Sequence, residues 1–247
     1  MGQVIVIANQ KGGAAKTTTA HAIGAGLRRD GGKVLFIDLD PQANLTATMN
    51  ATRAPLTVLD VLRGTQAVRA ITTTAGGDII AASPYLAGAD RQIAGPDKLK
   101  KALQSIASRY DFIIIDTPPA LGVLTVNALT AANYVVIPAQ ADPYSLQGIG
   151  QLMETIAEVK RTTNRALRIG GILITRYAGR AVLSRDMAEL LQETAAKHKT
   201  KVYATPIREG IACKEAQAMK QDIFTYAPKS KPAQDYAALI EEIKQEA

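Results

Sequence analysis

Ten residues near the start of the sequence combine glycines, lysines and threonines in an order suited to holding phosphate groups. Segment 9–18 reads NQKGGAAKTT and follows the short apolar run 4–8. A turn that contains glycine lets backbone N–H groups converge on phosphate oxygens, and a helix that begins there adds partial positive charge. Lys16 would reach the outer phosphates, and the hydroxyl of Thr17 would be a ligand of Mg²⁺. The predicted nucleotide-binding loop consists of Lys11, Gly12, Gly13, Ala14, Ala15, Lys16, Thr17 and Thr18.

Two aspartates follow the second apolar run. Segment 36–44 reads FIDLDPQAN, so Asp38 and Asp40 stand at the end of a predicted strand. A carboxylate in that position, facing the phosphates, suits work on a water molecule or support of a metal ion. The alternative, that both carboxylates cap the following turn, stays open because Asp-Pro is a common turn signal.

A third aspartate follows four apolar residues in segment 112–119, FIIIDTPP. An apolar run that ends in aspartate, at this distance behind a phosphate loop, is a Walker B pattern. It predicts that Asp116 holds Mg²⁺ through a water molecule. The sequence contains no N-K-x-D guanine signature, which favours ATP over GTP.

Short β-branched runs alternate with longer helical patterns, and this order predicts one α/β domain over residues 1–247. The strands read as continuous apolar runs, as expected for a doubly wound, mostly parallel sheet with helices on both faces. The predicted strands are Val4–Ala8, Lys33–Asp38, Asp78–Ala82, Phe112–Asp116, Tyr134–Pro138, Ile169–Thr175 and Lys201–Thr205. The predicted helices are Lys16–Arg29, Asp97–Arg109, Val123–Ala131, Leu146–Thr162, Leu183–Ala196 and Ala233–Glu246. Ligands bind beyond the carboxyl ends of such strands, where all the candidate residues stand.

Composition excludes several classes of protein. The 247 residues include one cysteine and two histidines, too few for an internal disulfide, a zinc cluster or an iron–sulfur cluster. No apolar run approaches the length of a membrane span. The first residues lack the pattern of a signal peptide, so the sequence predicts a cytoplasmic protein. The net charge of +7 suggests a polyanionic partner.

The positive charge is concentrated in segment 160–208, which holds eleven basic and three acidic residues. Flexible basic side chains without interleaved aromatic residues suit contacts to phosphate rather than to bases. The segment therefore predicts salt-sensitive binding to double-stranded DNA without sequence preference. A solvated basic surface is the alternative.

The phosphate loop resembles a known family. Gln10 and Ala15 stand where an ordinary Walker A loop has glycine, and Lys11 precedes the glycine pair. This K-G-G-x-x-K-[ST] order resembles the deviant Walker A loop of the ParA/MinD superfamily of P-loop ATPases. The resemblance implies that Lys11 acts across a homodimer, on ATP bound by the other subunit, and that hydrolysis separates the subunits. It also implies that Asp40, in a D-x-D-P-Q segment, orients or deprotonates the attacking water, and that Asp38 supports Mg²⁺ or the loop.

Further segments resemble the ParA (Soj-type) branch and extend the similarity over nearly the full chain. Segment 173–180, LITRYAGR, is similar to a family segment that ends in a DNA-contacting arginine, here Arg180. A second family arginine falls on Ala212, where Lys214 or Arg208 is a candidate to compensate. The predicted DNA-binding residues are Arg176, Arg180, Arg185 and Lys214.

The resemblance implies an ATPase that segregates plasmids or chromosomes, is stimulated by a ParB-like centromere-binding protein and associates with the nucleoid. A MinD-like membrane ATPase is one alternative, although segment 236–247 has an acidic polar face and no membrane partner is expected. A metabolic ATP-dependent ligase is a second, although such enzymes lack the leading lysine. A third is a nucleotide-binding regulator whose hydrolysis is weakened by Ala15.

Overall fold

The computed structural model describes residues 2–178 and 182–246. Within them the strands are β1 (Gln3–Ile7), β2 (Val34–Asp38), β3 (Ile71–Thr74), β4 (Gly77–Ile80), β5 (Phe112–Asp116), β6 (Tyr134–Gln140) and β7 (Arg168–Thr175). They form one sheet in the order β3-β4-β2-β5-β1-β6-β7. Neighbouring strands are parallel except β3 and β4, which form an antiparallel hairpin at one edge. The predicted doubly wound, mostly parallel sheet is confirmed.

The helices of the described residues cover both faces of this sheet. They are α1 (Lys16–Arg29), α2 (Asn44–Thr48), α3 (Val58–Leu62), α4 (Ala89–Gln92), α5 (Lys98–Gln104), α6 (Val123–Ala131), α7 (Pro143–Thr162), α8 (Val182–Lys197), α9 (Ala212–Ala218), α10 (Ile223–Tyr226) and α11 (Lys231–Glu246). Helices α3, α5, α6 and α7 contribute to one apolar cluster, and α1, α2 and α11 contribute to the other.

The central strand β5 shows why its sequence is apolar throughout. Ile113 and Ile115 belong to one cluster and Ile114 to the other, and all three are fully buried. Successive side chains of a strand point to opposite faces, so a strand that is covered on both sides needs apolar residues at every position. The run ends at Asp116, on the edge of the sheet where β1 gives way to the phosphate loop.

One predicted strand is wrong. Lys201–Thr205 makes a single bridge, between Val202 and Ile172 of β7. The backbone N–H groups of Ala204 and Thr205 donate instead to the carboxylate of Glu242 on α11, both at 3.0 Å. The segment therefore leaves the sheet after one residue pair and crosses toward α11.

Helix α11 packs its apolar residues into the protein. Tyr236, Leu239, Ile240 and Ile243 are buried in the cluster that also contains α1. In the described parts of the chain, no helix has both the length and the apolar character required to cross a bilayer.

Candidate functional site

The phosphate loop joins β1 to α1 and contains two residues in the left-handed backbone region. Gly13 has φ +76°, and Ala15, directly before α1, has φ 66° and ψ 29°. A β-carbon disfavours this conformation by about 1–2 kcal/mol, so Ala15 is held in it by its surroundings. The loop therefore adopts the backbone that a glycine would favour at position 15.

Side chains from two neighbouring strands hold the loop in place. The amide of Asn9 donates to the carbonyl of Pro138 at 2.6 Å, and its oxygen accepts from the N–H of Lys11 at 3.0 Å. Gln140, at the end of β6, donates to the carbonyl of Gly13 at 2.8 Å. Thr175, at the end of β7, donates to the carbonyl of Ala14 at 3.2 Å. The loop is thus fixed to the carboxyl edge of the sheet before any ligand arrives.

Lys16 is buried at the floor of this loop. Its Nζ donates to the carbonyl of Lys11 at 3.0 Å. Burial lowers the pKa of Lys16, and the carboxylates of Asp116 and Asp40 oppose that shift. A buried ammonium attracts phosphate oxygens strongly because little water screens it, and the nearby carboxylates keep it charged while offsetting part of that attraction.

Asp116 has the environment of a metal ligand. It is fully buried, and neither carboxylate oxygen has a hydrogen-bond partner among the described residues. Burial raises the pKa of Asp116 well above its usual range, and the charge of Asp38 adds to this. The Thr17 hydroxyl lowers the pKa of Asp116 but does not reach normal hydrogen-bond geometry. A bound divalent cation would satisfy these buried oxygens, so Thr17 and Asp116 fit Mg²⁺.

Both carboxylate oxygens of Asp38, in contrast, accept hydrogen bonds. Its Oδ1 accepts from the N–H of Asp40 at 3.0 Å, and its Oδ2 accepts from the N–H and hydroxyl of Thr46, both at 2.8 Å. Burial raises the pKa of Asp38 to about 6. The structure thus uses Asp38 to fix the turn into α2, and its role toward Mg²⁺ stays a prediction.

Asp40 stands two residues further on, beside the loop. Its Oδ1 accepts from the N–H of Gln42 at 2.9 Å. The side chain is nearly buried, and it lines the same cavity as Lys16 and Thr17. The arrangement brings together the carboxylate of Asp40, the ammonium of Lys16 that is predicted to bind phosphate, and the predicted metal ligands.

The cavity above the loop has a volume of about 750 Å³ and extends to residues that the sequence analysis did not single out. These residues include Ile207, Cys213 and Gln217. The amide of Gln217 donates to the Thr18 hydroxyl at 2.9 Å, which ties α9 to the start of α1. Burial raises the pKa of Cys213 to about 11, so its thiol stays protonated at neutral pH. The run 201–205 could have pointed to this part of the cavity, because it lies beside β7 and the chain continues from it to Ile207.

The side chain of Lys11 points away from the cavity that Lys16 lines. Its Nζ forms an ion pair with Asp142, the residue that caps α7, and donates to Oε1 of Gln140 at 3.2 Å. It lines a separate shallow depression at the surface, next to the first turns of α7. The side chains of the two lysines in the motif therefore line different depressions of the protein.

The predicted DNA-binding residues are only partly described. Arg180 lies outside the described residues, as does the side chain of Arg185. Arg176 is half-exposed and pairs with Glu209 at 2.8 Å, on the rim of the nucleotide cavity. Lys214 is exposed on α9. Arg208 forms a bidentate pair with the nearly buried Asp235, the shorter contact at 2.6 Å, so its charge is already neutralised.

The structure divides the basic segment between two ends of the sheet. Arg165 and Arg168 lie at the start of β7, and Lys199 joins them there because the neighbouring Thr200 donates to the carbonyl of Ile169 at 3.4 Å. Arg176 follows the other end of β7. Eight residues of strand separate the two groups by about 25 Å.

A phosphate loop after β1 and a buried aspartate at the end of β5, in a mostly parallel sheet, define a P-loop nucleotide-binding protein. A family model described as an AAA domain matches residues 2–169. The chain is 39% identical to the sporulation initiation inhibitor protein Soj of Bacillus subtilis (strain 168), over 98% of each protein. It is 40% identical to the chromosome-partitioning ATPase Soj of Thermus thermophilus, over 97% of this chain and 94% of that one. The chain belongs to the ParA (Soj-type) branch of the ParA/MinD superfamily, a branch of partition ATPases.

A similar solved structure is named as a synthase and not as a partition ATPase. The cobyrinic acid a,c-diamide synthase of Mycobacterium smegmatis, with bound ADP and magnesium, is 36% identical and superposes with a TM-score of 0.86. The match covers 99% of this chain and 95% of that one. The likeness confirms the fold around the nucleotide cavity.

Proposed function

We propose that this protein is an ATP-dependent DNA-binding dimer that segregates a plasmid or chromosome. ATP with Mg²⁺ occupies the cavity of about 750 Å³ beside the phosphate loop. ATP then joins two copies of the chain, and the dimer binds double-stranded DNA of the nucleoid without sequence preference. A ParB-like centromere-binding protein stimulates hydrolysis, which returns the protein to monomers.

The separation of the two loop lysines carries this proposal. Lys16 lines the cavity floor, whereas Lys11 is at the surface, paired with Asp142. Because the side chain of Lys11 is turned away from its own cavity, we assign it to the nucleotide of a second copy, where a phosphate would replace Asp142 as its partner. A cation delivered in that way stabilises the charge of the transferring phosphoryl group, as an arginine finger does.

The remaining residues divide the chemistry of hydrolysis. Bound Mg²⁺ supplies charge neutralisation at the β- and γ-phosphates. Thr17 and Asp116 would hold it, Asp116 with oxygens that have no hydrogen-bond partner within the described residues. Lys16 binds the outer phosphates. Asp40 orients the attacking water and accepts its proton from a position beside the same cavity.

The proposal is tested with wild type and Lys11→Ala, each with and without Mg²⁺ and ATP. We expect ATP to convert wild type to a dimer by light scattering and to promote binding to arbitrary-sequence DNA in gel shifts. Lys11→Ala should bind a fluorescent ATP analogue yet stay monomeric. Lys98→Ala, which removes an exposed lysine at the start of α5, is the matched control and should dimerise.

Two results would contradict the proposal. One is a wild-type protein that stays monomeric and DNA-free at saturating ATP. The other is a Lys11→Ala variant that dimerises as wild type does, since the leading lysine would then have no role between subunits.

The same experiment separates the rival functions. The name of the Mycobacterium neighbour points to a metabolic synthase, which would hydrolyse ATP without regard to DNA. A MinD-like protein would sediment with anionic liposomes. The burial of Tyr236, Leu239 and Ile243 argues against the latter, because α11 has already placed its apolar side in the core.

A further inference from the structure

The chain leads from the predicted metal ligand Asp116 to helix α6 through residues 117–122, TPPALG, which we call the β5–α6 segment. Pro119, in the middle of this segment, lines the nucleotide cavity. The β5 side of the segment is fixed, because the hydroxyl of Thr117 donates to the carbonyl of Ile7 on β1 at 2.8 Å. What holds the other side therefore affects how firmly Pro119 stays against the cavity.

Helix α6 has no cap from its own sequence. Gly122 stands at its N-cap and offers no side chain, and the described residues of its first turn include no aspartate or glutamate. The cap comes from α4, where Oδ1 of Asp90 accepts from the backbone N–H of Val123 at 3.0 Å. A carboxylate in this place satisfies a backbone donor and interacts favourably with the helix dipole. Asp90 thus holds the start of α6.

The start of α6 is in turn joined to the β5–α6 segment. The hydroxyl of Thr125, in the first turn of the helix, donates to the carbonyl of Ala120 at 2.6 Å. A displacement of the helix start is therefore carried back into the segment, toward Pro119 and the nucleotide cavity.

Gly122 allows Asp90 to come this close. A β-carbon built on Gly122 would have Oδ1, Oδ2 and Cγ of Asp90 as its three nearest atoms, at 3.0, 3.5 and 3.6 Å. The backbone of Gly122 has φ −84°, which any residue can adopt. A larger residue at position 122 would therefore disturb the carboxylate of Asp90 rather than strain its own backbone.

We propose that Asp90 is a positioning residue for ATP hydrolysis. By capping α6, it fixes the β5–α6 segment and keeps Pro119 against the nucleotide cavity. Asp90 does not line that cavity itself, so it acts through the segment and not on the reacting atoms. The inference rests on the ATP hydrolysis of the proposed function and adds a residue from outside the phosphate-loop and aspartate motifs.

Loss of this cap should affect turnover more than nucleotide binding. The phosphate loop is held by Gln140 and Thr175 at the ends of β6 and β7, which lie on the other side of β1 from β5. These bonds do not depend on Asp90, so Lys16 would still bind the outer phosphates. Hydrolysis is more demanding, because a small misplacement of the groups around the reacting phosphate lowers the rate strongly.

The test compares purified full-length Asp90→Ala and Asp90→Asn with wild type in steady-state phosphate release at saturating ATP and Mg²⁺. We expect Asp90→Ala to lower kcat about five-fold, the factor that loss of a typical helix cap gives in an equilibrium. Its dissociation constant for a fluorescent ATP analogue should be unchanged. Asp90→Asn keeps an oxygen for the N–H of Val123 and should stay within about two-fold of the wild-type kcat.

Thr57→Ala is the matched control for stability. Thr57 caps α3 in a capping box with Asp60, and neither residue lines the nucleotide cavity. Thr57→Ala should lower the melting temperature about as much as Asp90→Ala does, while its kcat stays at the wild-type value. Hydrogen exchange without nucleotide gives a second readout: the backbone N–H groups of 120–126 should exchange faster in Asp90→Ala and not in Thr57→Ala.

Gly122→Ala tests the contact itself. Alone, the added methyl group should displace the carboxylate of Asp90 and lower kcat. Combined with Asp90→Ala it should add little, because the atoms that it would meet are gone. The double variant should therefore turn over ATP at the rate of Asp90→Ala.

If Asp90→Ala retains the wild-type kcat, its carboxylate only caps a helix and the inference is overturned. Rate losses that multiply when Gly122→Ala and Asp90→Ala are combined would overturn it too, since the two residues would then act separately. A wild type that releases no phosphate would instead contradict the proposed function. The exchange of 120–126 needs no ATP, so it distinguishes that failure from a failure of Asp90 to hold the segment.

Discussion

Ala15 shows at the scale of one residue how this loop differs from one with glycine directly before the second lysine. Its left-handed backbone, with φ 66°, is the conformation that an L-residue resists. The loop nevertheless holds it, through the bonds that Gln140 and Thr175 make to Gly13 and Ala14. The alanine therefore changes the stability of the loop rather than its shape.

We expect Ala15→Gly to stabilise the protein by about 1 kcal/mol, because relief of strain outweighs the greater backbone entropy of glycine in the unfolded state. In a chain of this size that corresponds to a rise of about 2–4 °C in melting temperature. Ala43→Gly is the matched control: Ala43 precedes α2 with φ 53°, and its replacement should stabilise by a similar amount.

The rate of ATP hydrolysis by Ala15→Gly shows whether the alanine affects function. Since the loop shape is already attained, Ala15→Gly should leave the steady-state rate of phosphate release nearly unchanged. A large increase in that rate would instead favour the nucleotide-binding regulator, in which the alanine suppresses hydrolysis.

At the scale of elements, helix α1 buries a titratable group. His21 is nearly buried, and its ring centroid lies 6.0 Å from that of Phe36 on β2. Burial lowers the pKa of His21 to about 4; Asp222 opposes the shift and Arg28 adds to it. The unfolded chain takes up a proton near pH 6.5, whereas the folded protein resists it until about pH 4. His21 therefore favours folding above pH 6.5, and this contribution is lost as the pH falls toward 4.

The expected loss is about 3 kcal/mol of unfolding free energy over this range. Asp38 acts in the opposite direction because its pKa is raised, so the comparison must be between variants. Urea titrations from pH 7 to pH 4.5 should show that His21→Gln loses less stability on acidification than wild type. His198→Gln, at a half-buried position after α8, should follow wild type. Parallel curves for wild type and His21→Gln would contradict the assignment.

The predictability of the elements depended on the kind of signal that each carried. Helices α1 and α6 begin and end at the predicted residues. The phosphate-loop motif marks the start of α1, and the step from Gly122 to Val123 marks the start of α6. Helix α7 begins at Pro143, three residues before its predicted start, although Asp142-Pro143 is a recognisable helix-start signal. That error hid Asp142, the partner of Lys11. The short edge strand β3 was missed because three of its four residues are threonines, which give no apolar run of the kind that predicted the other strands.

The parts of the candidate site that belong to a motif were predictable from the sequence. The parts that come from residues far away in the sequence were not. Lys16 and Thr17 at the start of α1, Asp40 after β2 and Asp116 at the end of β5 line or underlie one cavity, as the motifs predict. The wall formed by Ile207, Cys213 and Gln217 depends on long-range packing of α9 against α1, which carries no local periodicity.

At the scale of the whole molecule, the positive charge is not one patch. Lys197 and Lys199 lie at the end of α8, near the start of β7, while Arg180 follows the opposite end of β7 in the sequence. Within the described residues, Thr175 and Arg176 at the carboxyl end of β7 line the nucleotide cavity, so we link charges at that end to ATP. Net charge alone attracts DNA, but ATP-dependent binding requires contacts near the cavity.

Two charge reversals, Arg180→Glu and Lys197→Glu, test this division, since both change the net charge equally. We expect Arg180→Glu to lose ATP-dependent DNA binding, and Arg180→Ala to make the salt dependence of binding shallower by about one ion per phosphate contact removed. Lys197→Glu should retain both the binding and the salt dependence. Both glutamate variants should bind a fluorescent ATP analogue normally. If Lys197→Glu weakens DNA binding as much as Arg180→Glu does, the basic residues act as a diffuse field around the molecule, and the position of the cavity does not select the DNA-binding end.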